Sequence, residues 1–587
     1  MFVKETKVKR GERAYTYVQL VEGYRDEHGK VRHRVVANLG RKDELKDSGQ
    51  LEKLAGAFAR LDPPLAGTRR EVGALLLAWH FLRELDVAGV VDRALPRSER
   101  SELSVGEVVC ALVASRLCSP SPLYDIAGWA SGAAVRELLG IPPQLLNDDR
   151  LGRALETFAV YAESVRGLLA ARAIDRFGTD SGRLHVDLTT VRVAGAYEDS
   201  ALVAKGWGSD RHVARQVRTL QAASGDGVSL YLRPDPGNCS ELALVGQSLE
   251  RLAAFAKPGM LMVCDSALGQ PKPLCQIHRA GLRFIVPLKT STAFQERYLT
   301  DVGPGALRPI RHVAEREKRL PAKLRTKYRG ALRDWDVDDP ETGERRHFPV
   351  AYIHSSEEQA QVANARERAL AKAEDELSRV RNGLGGRYYK TETQLQRRVG
   401  QIIGKNIQGL ITVTVGQDET GRATISWQRN DDAITHAART DGVYALATNL
   451  PGKLTAGEIL RLYKEQEVVE RRHRDLKQTL KVRPIFLHND DRIYALISIV
   501  GFALLIFGLL ETQLRQALDA DDQHDKRLPL LPESRLSKPT GANVLAAFQG
   551  LDLTYTHRGI ELDPLTPTQQ RILDLLAIQP PWPQPER

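Results

Sequence analysis

The segment LHVDLTTVRV (184–193) decides the fold of this chain, because it places a carboxylate within a buried strand. Apolar and β-branched residues dominate it, which is typical of a strand inside a sheet. A second such run, MLMVCD (260–265), ends on Asp265. A carboxylate on a core strand costs free energy unless it faces solvent or a cation. Asp187 and Asp265 are therefore candidates for a shared polar site.

A third acidic residue, Glu470, lies in YKEQEVVERRHRDLK (463–477). The preceding residues predict a helix start, with Thr455 as N-cap and Glu458 as its reciprocal partner in a capping box. No proline follows before Pro484, so we expect one helix through about residue 480.

On such a helix, Tyr463, Gln466, Glu470 and Lys477 share one face. The stripe combines a phenol, an amide, a carboxylate and an amine, which is not the pattern of a core-facing stripe. Together with the two strand aspartates, Glu470 completes a trio of carboxylates from distant segments. Hard divalent cations prefer such oxygen ligands, so the trio predicts a metal site.

The helix resembles the Y-x2-R-x3-E-x6-K pattern of DDE transposases of bacterial insertion sequences, whose ribonuclease H-like core is interrupted by a long insertion. The resemblance covers about residues 180–515 and includes several further segments: VDLTT at Asp187, VCDSALGQ at Asp265, HRAGLRFIVPLK (278–289), DGVYALATNL (441–450) and RPIFLHNDDRIYALISIVGFALL (483–505). These motifs occur in the order of the family.

Two positions depart from the family pattern. Gln466 replaces the arginine, which removes a fixed charge and a planar hydrogen-bonding fork. Lys464 or Arg474 is a candidate to supply the missing charge. His473 stands where the family has an aromatic residue.

The resemblance implies an α+β or α/β multidomain protein. Its core is a ribonuclease H-like mixed five-stranded sheet flanked by helices, interrupted by an insertion domain and preceded by a helical N-terminal domain. We expect a basic β-hairpin arm at 1–60, a helical DNA-end-binding or scaffold domain at 61–178, the first part of the core at 179–290, the insertion (helices plus a hairpin) at 291–440, the second part at 441–520, and a C-terminal linker and tail at 521–587.

The resemblance also implies the chemistry. Asp187, Asp265 and Glu470 would be catalytic and would hold two Mg²⁺ ions, for which Mn²⁺ can substitute. The substrates would be double-stranded DNA, both the terminal inverted repeats and the target. Pairing two ends requires two active sites, so we expect a homodimer, cytoplasmic and associated with the bacterial nucleoid.

Each carboxylate also has an ordinary structural explanation. Asp187 could end a strand at a turn, Asp265 could cap the next helix, and Glu470 could pair with Arg474 one helical turn away. The trio as an ordered set favours the metal site.

The remaining candidates are DNA contacts, each with a structural alternative. Tyr463 and Lys477 would touch phosphates, or be a core aromatic and a solvated amine. Trp427 would stack on an unpaired base, or be a cross-strand hairpin aromatic. Arg474 and Arg211 would contact DNA or simply be exposed.

Composition permits these interpretations. Lys plus Arg number 84 against 74 Asp plus Glu, a net charge of +10 with a pI near 9.2, which permits a polyanionic partner without proving one. Five cysteines favour a reducing compartment. Residues 493–510 carry no charge, but charged flanks favour a buried helix under the catalytic sheet over a membrane span.

Two other functions stay open. A structure-specific DNA nuclease on the same core would cut without strand transfer. A catalytically inactive, transposase-derived DNA-binding regulator would bind without cutting.

Overall fold

The computed structural model describes residues 2–10, 13–25, 31–47, 66–96, 102–208, 212–240, 243–244, 252, 259–302, 304–483, 485–521 and 525–583. The chain divides into two compact units. Unit 1 contains Met1–Thr179, Thr189–Cys239 and Arg471–Arg587, and unit 2 contains Asp180–Leu188 and Ser240–Glu470. Most of a crossover helix expected at 241–259 lies outside the described residues.

Unit 1 begins with an antiparallel sheet of strands β1 (Phe2–Arg10), β2 (Arg13–Arg25) and β3 (Val31–Arg41), followed by helix α1 (Lys42–Asp47). The expected hairpin is the β2–β3 pair, and β1 adds a third strand. Val18 and Val21 of β2 are buried.

Helices dominate the next hundred residues, as the apolar periodicity predicted. The elements are β4 (Arg69–Glu71), α2 (Leu75–Glu84), α3 (Val87–Ala94), α4 (Val105–Cys118), α5 (Ile126–Gly132), α6 (Val135–Leu139) and α7 (Asp148–Phe177). Asn147 caps α7 by accepting a hydrogen bond from the backbone N–H of Arg150 at 2.9 Å.

Strand β5 (Arg183–Arg192) carries Asp187 and passes from unit 2 into unit 1 at Thr189. In unit 1 it is followed by β6 (Ala204–Trp207), β7 (Val213–Ser224) and β8 (Ser229–Pro236). Both β6 and β8 pair antiparallel with β7, and the β7–β8 pair is the antiparallel pair that the runs QVRTLQAAS (216–224) and VSLYLRP (228–234) predict.

In unit 2, β9 (Leu261–Val263) pairs in parallel with both β5 and β10, an arrangement that buries both faces of such strands. The elements that follow β9 are α8 (Pro271–Arg279), β10 (Arg283–Pro287), α9 (Thr292–Asp301), β11 (Arg308–Ile310), β12 (Tyr328–Asp338) and β13 (Arg345–Ser355). Strand β12 pairs antiparallel with β11 and β13.

A separate apolar cluster organises the next segment, α10 (Ser356–Asn382), α11 (Glu392–Ile402), β14 (Ile411–Gln417), β15 (Ala423–Arg429) and α12 (Asp431–Ala438). Buried residues on α10 recur every three or four positions: Leu370, Ala373, Leu377 and Val380. This spacing explains how a helix poor in apolar residues still packs, and β14–β15 is the expected hairpin.

Strand β16 (Val443–Thr448) pairs antiparallel with both β13 and β10. The strands β11–β13 from the expected insertion therefore extend the sheet of unit 2. The predicted sheet had five strands, which is too few, because the alternating apolar residues of β13 were not recognised as a strand.

The helix that carries Glu470 differs from its prediction. The capping box at Thr455 is present, but the helix is broken into α13 (Ala456–Lys464) and α14 (Glu467–Arg474), and a π-helical turn follows at Asp475–Thr479. The N–H of Gln466 bonds to the carbonyl of Tyr463 at 3.0 Å, a tighter turn than an α-helix allows. The prediction of four side chains on one face of a continuous helix was therefore wrong.

Helix α15 (Asp490–Ala520) forms the core of unit 1, as predicted for the uncharged run. It is long and apolar enough to cross a membrane, but 94% of its apolar window is buried within the protein. That burial is typical of a core helix.

The last segment was expected to be a linker and tail, which is wrong for residues 525–583. They form β17 (Leu528–Leu531), β18 (Arg535–Ser537), α16 (Gly541–Ala546), β19 (Asp552–Thr556), β20 (Gly559–Leu562) and α17 (Pro567–Leu575). Strand β19 pairs with β4, and the paired residues Asp552 and Glu71 lie 481 positions apart in the chain. Such long-range pairing is invisible to local sequence patterns.

Candidate active site

Asp187 and Asp265 lie at equivalent positions on neighbouring parallel strands. The register of β5 and β9 pairs His185 with Val263, so each aspartate follows the last paired residue by two positions. Asp187 is still part of β5, whereas Asp265 lies two residues beyond the end of β9, and both carboxylates raise the pKa of Cys264 and of Tyr463. The pairing thus brings together two carboxylates that are distant in sequence.

Local contacts hold both aspartates in place. Asp187 is half-buried and accepts a hydrogen bond from the N–H of Leu188 at 2.7 Å. Asp265 is exposed and accepts one from the N–H of Ser266, capping the short helical turn that follows. The capping role suggested by the sequence is therefore present, and it leaves the carboxylate at the surface. Burial raises the pKa of the Cys264 thiol, and both aspartates raise it further.

Glu470 lies on α14 and is the last residue of unit 2. Its carboxylate is exposed. Within the described residues of unit 2, no ion pair neutralises it, which is the condition a metal ligand requires.

The phenol of Tyr463 interacts electrostatically with each of the three acidic residues. Burial raises the pKa of its phenol to about 12, and Asp265, Glu470 and Asp187 contribute, together with Glu358. The ring also packs on the apolar cluster of unit 2, with its centroid 6.4 Å from that of Tyr444. The aromatic ring packs on the core of unit 2, and the negative charges of all three carboxylates raise the pKa of its hydroxyl.

The donor chemistry of these residues suits a divalent cation, but the ligand set is incomplete in this arrangement. Within the described ranges, no group of three or more His, Cys, Asp or Glu side chains is close enough to hold a metal ion. Asp187 and Asp265 follow paired strands. Glu470 interacts electrostatically with Tyr463, as they do, but it does not complete a three-ligand group with them.

The comparisons with known proteins identify the family. A model of the transposase DDE domain matches residues 179–506, more than half of the chain. The chain belongs to the DDE transposases. An IS1634 family transposase N-terminal domain matches residues 3–63, and a domain of unknown function (DUF4277) matches residues 69–171. A search of the curated proteins gave no match. The protein is a DNA transposase, and enzymes of this family generally use divalent metal ions.

In the transposase, Lys477 donates a hydrogen bond to Thr189 Oγ1 at 2.5 Å within unit 1. Lys464, a candidate to replace the family's arginine, places its Nζ 5.7 Å from the ring centroids of both Tyr328 and Tyr444. Its charge is therefore engaged with two aromatic rings, whose faces attract cations. Gln466 is half-buried and Arg474 is exposed.

Two further predicted DNA contacts have different outcomes. Trp427 of the transposase packs on the cluster between α10, α11 and the hairpin, and the guanidinium of Arg381 lies 4.9 Å from its ring centroid. Base stacking by Trp427 stays a prediction. Arg211 lies outside the described residues.

Sequence reasoning missed a buried charge network in unit 1 of the transposase. Arg472 is fully buried and donates to the carbonyl of Gly227 at 2.6 Å and to Asp475 at 2.8 Å. It also pairs with Glu511 of α15 at 3.2 Å, and Glu511 accepts from the N–H of Gly541 at 3.1 Å. The sequence contains one signal of this network. Glu511 directly follows the uncharged run 493–510 and still lies well inside the same helix.

Proposed function

We propose that this transposase cuts DNA at the ends of its element and joins those ends to target DNA, with Asp187, Asp265 and Glu470 as its catalytic carboxylates. The observation that carries the proposal is the parallel register of β5 and β9, whose last paired residues each precede one of the two aspartates by two positions. The shared influence of all three carboxylates on Tyr463 supports it.

The three carboxylates would hold two Mg²⁺ ions, which supply activation of an attacking oxygen and stabilisation of a leaving oxygen. A ribonuclease H-like core is consistent with β5, the antiparallel strands β7 and β8, and then the parallel strands β9 and β10, in that order along the chain.

Two candidate residues, Tyr463 of unit 2 and Lys477 of unit 1, would orient the DNA. The hydroxyl of Tyr463 can donate a hydrogen bond to a phosphate oxygen, since its raised pKa keeps it protonated at neutral pH. Lys477 supplies a positive charge that Thr189 orients. Charge-assisted bonds of this type fix a phosphate in register.

The other parts of the chain would serve end recognition. The helical domain at 61–178 would bind the terminal repeats. Two ends need two sets of carboxylates, so we propose a homodimer in the complex that pairs the ends, acting on DNA in the cytoplasm.

The test uses duplex DNA containing the sequences that flank the gene, purified protein and Mg²⁺. The expected result is cleavage at the element end by the wild type and its loss in Asp187→Asn. The matched control is Asp334→Asn, which removes one exposed carboxylate on β12 of the same unit. Equal cleavage by wild type and Asp187→Asn, or none by the wild type, contradicts the proposal.

A second assay separates transposition from simple nuclease activity. Pre-cut ends are incubated with a supercoiled target, and joined product is measured. Joining supports strand transfer. Cleavage without joining identifies a nuclease, and metal-independent binding without cleavage identifies an inactive regulator.

A further inference from the structure

We infer that a groove of unit 2 beside α13, apart from the three carboxylates, binds the phosphate backbone of the DNA. The inference rests on the proposed function, because the groove would bind the part of the DNA that extends beyond the carboxylates. The groove has a volume of about 510 Å³ and runs between edge strand β11 and the start of α13. We call it the arginine groove, after the three arginines that line it: Arg308, Arg311 and Arg461.

The charge of the arginine groove is available to a ligand. All three arginines are exposed, and within the described part of the chain none of their side chains forms an ion pair or hydrogen bond. Elsewhere in unit 2, Arg366 pairs with Asp441 and Arg429 with two glutamates. Three uncompensated guanidinium groups along one groove match a polyanion, and arginine binds phosphate oxygens in pairs.

The helix start strengthens the attraction for anions. The first turn of α13 places the positive end of a helix dipole at the groove, which favours phosphate, and the capping box of Thr455 and Glu458 pairs two of the backbone N–H groups there. Glu458 is the one acidic residue in the lining, and it is turned back onto the cap, accepting from Thr455 N at 2.7 Å and Oγ1 at 2.8 Å. His312 also lines the groove, and burial lowers its pKa, so the positive charge comes from the arginines.

Two glycines give the groove its shape. A Cβ on Gly330 would lie 2.7 Å from Ile310 Cδ1 and 3.0 Å from Ala456 Cβ. A Cβ on Gly457 would lie 3.2 Å from Ile310 Cγ2. Without those atoms, β11 lies tightly against α13, and the arginines that flank Ile310 come alongside Arg461 of the helix.

Helix geometry sets the distance between the arginine groove and the catalytic carboxylates. Arg461 and Tyr463 are two residues apart on α13, so they point to opposite sides of the helix. A helix with its side chains is about 10–12 Å across. That width corresponds to about three base-pair steps of duplex at ~3.4 Å each. We therefore expect contacted phosphates about three nucleotides from the cleaved bond.

The test measures binding of element-end duplex without divalent metal, where the DNA stays uncut, over a range of NaCl concentrations. The variants are Arg308→Gln/Arg311→Gln and, separately, Arg461→Gln. The matched control, Arg368→Gln/Lys372→Gln, removes two exposed charges from α10. Each lost phosphate contact lowers the slope of log K against log salt by about 0.9, so the double variant should lose about 2 in slope and bind about fifty-fold more weakly at ~0.1 M salt.

Two further arms make the result decisive. Ethylation of phosphates should interfere with wild-type binding about three nucleotides from the cut, and this interference should vanish in Arg461→Gln. Calorimetry with inorganic phosphate at constant ionic strength tests the other source of the same chemistry. Phosphate binding that the double variant loses, with an unchanged DNA slope, identifies a small-anion site and overturns the inference.

The failure of this inference is distinguishable from the failure of the proposed function. If the wild type cleaves ends but the groove variants keep its salt slope, or lose no more than the α10 control, only the arginine groove is wrong. If the wild type does not cleave in Mg²⁺, the proposed function fails whatever the slopes are.

Discussion

The two units of this transposase use their charged residues in opposite ways. In unit 2, Asp265, Glu470 and the arginines of the arginine groove are exposed, and none of them forms an ion pair with a described residue. In unit 1, Arg472 and Glu511 are almost completely buried and joined to each other and to backbone groups. An exposed, unpaired charge contributes little to stability and is available to a ligand, whereas removing one partner of a buried pair leaves an uncompensated charge in the interior and is strongly destabilising.

The largest expected effect is on catalysis in unit 2. If Asp265 holds a catalytic metal ion as proposed, Asp265→Asn should lower the rate of end cleavage about a thousand-fold or more, because loss of a metal ligand removes several kcal/mol of transition-state stabilisation. Asparagine still caps the turn at Ser266, so the thermal midpoint should stay within about 2 °C of the wild type. Single-turnover cleavage and thermal unfolding check this, and a large loss of stability would remove the contrast between the units.

The buried network of unit 1 should show the reverse. Arg472→Met should lower the free energy of unfolding by about 3–5 kcal/mol, because it leaves Glu511 and Asp475 without their main partner. Arg461→Met, a matched loss of an exposed arginine, should change it by less than about 0.5 kcal/mol. Denaturant unfolding of the full chain measures both. Similar values for the two variants would contradict the distinction.

A smaller effect concerns pH. Burial lowers the pKa of His473 in unit 1 to about 3, with a contribution from Lys477. The unfolded chain binds a proton near pH 6.5 while the folded one does not, so stability is fully present above about pH 6.5 and falls toward pH 3. Between pH 7 and 5 the expected loss is about 2 kcal/mol.

His473→Gln serves as the comparison for this pH dependence. Its stability should vary less between pH 7 and 5 than that of the wild type, since it has no proton to gain at this position. An identical pH profile for both proteins would show that His473 is not the group responsible.

The smallest expected effect separates the two explanations of Tyr463. Tyr463→Phe keeps the ring that packs on the core and removes the hydroxyl. If the hydroxyl bonds to a phosphate, cleavage should fall about ten-fold, since a hydrogen bond to a charged group contributes ~1.5 kcal/mol or more. Tyr463→Leu is the packing control. Full activity in the phenylalanine variant would identify Tyr463 as a core residue only.

The sequence predicted local features well. The apolar runs around Asp187 and Asp265 gave their strands, and the Thr455 capping box gave the start of α13. Each of these signals lies within a few residues, where backbone preferences and hydrogen bonds act directly. The long uncharged run likewise gave the buried helix α15.

The errors concern features that depend on distant partners. The break at Glu465 accompanies an ion pair between that residue and Arg183, far earlier in the chain. The strands after residue 520 were missed because β19 is completed by β4. The predicted insertion included strands that extend the sheet of unit 2, because β13 is recognisable as a sheet strand only beside β16.

The amino-acid sequence by itself determined which family the chain resembles and which residues are candidates for the chemistry, because residue type and spacing are local properties of the chain. Only the tertiary structure decided that β5 and β9 pair in the register that sets Asp187 beside Asp265, and that Arg308 and Arg311 lie alongside Arg461. Strand register and helix contacts arise from burial of side chains distant in sequence, which no local pattern specifies.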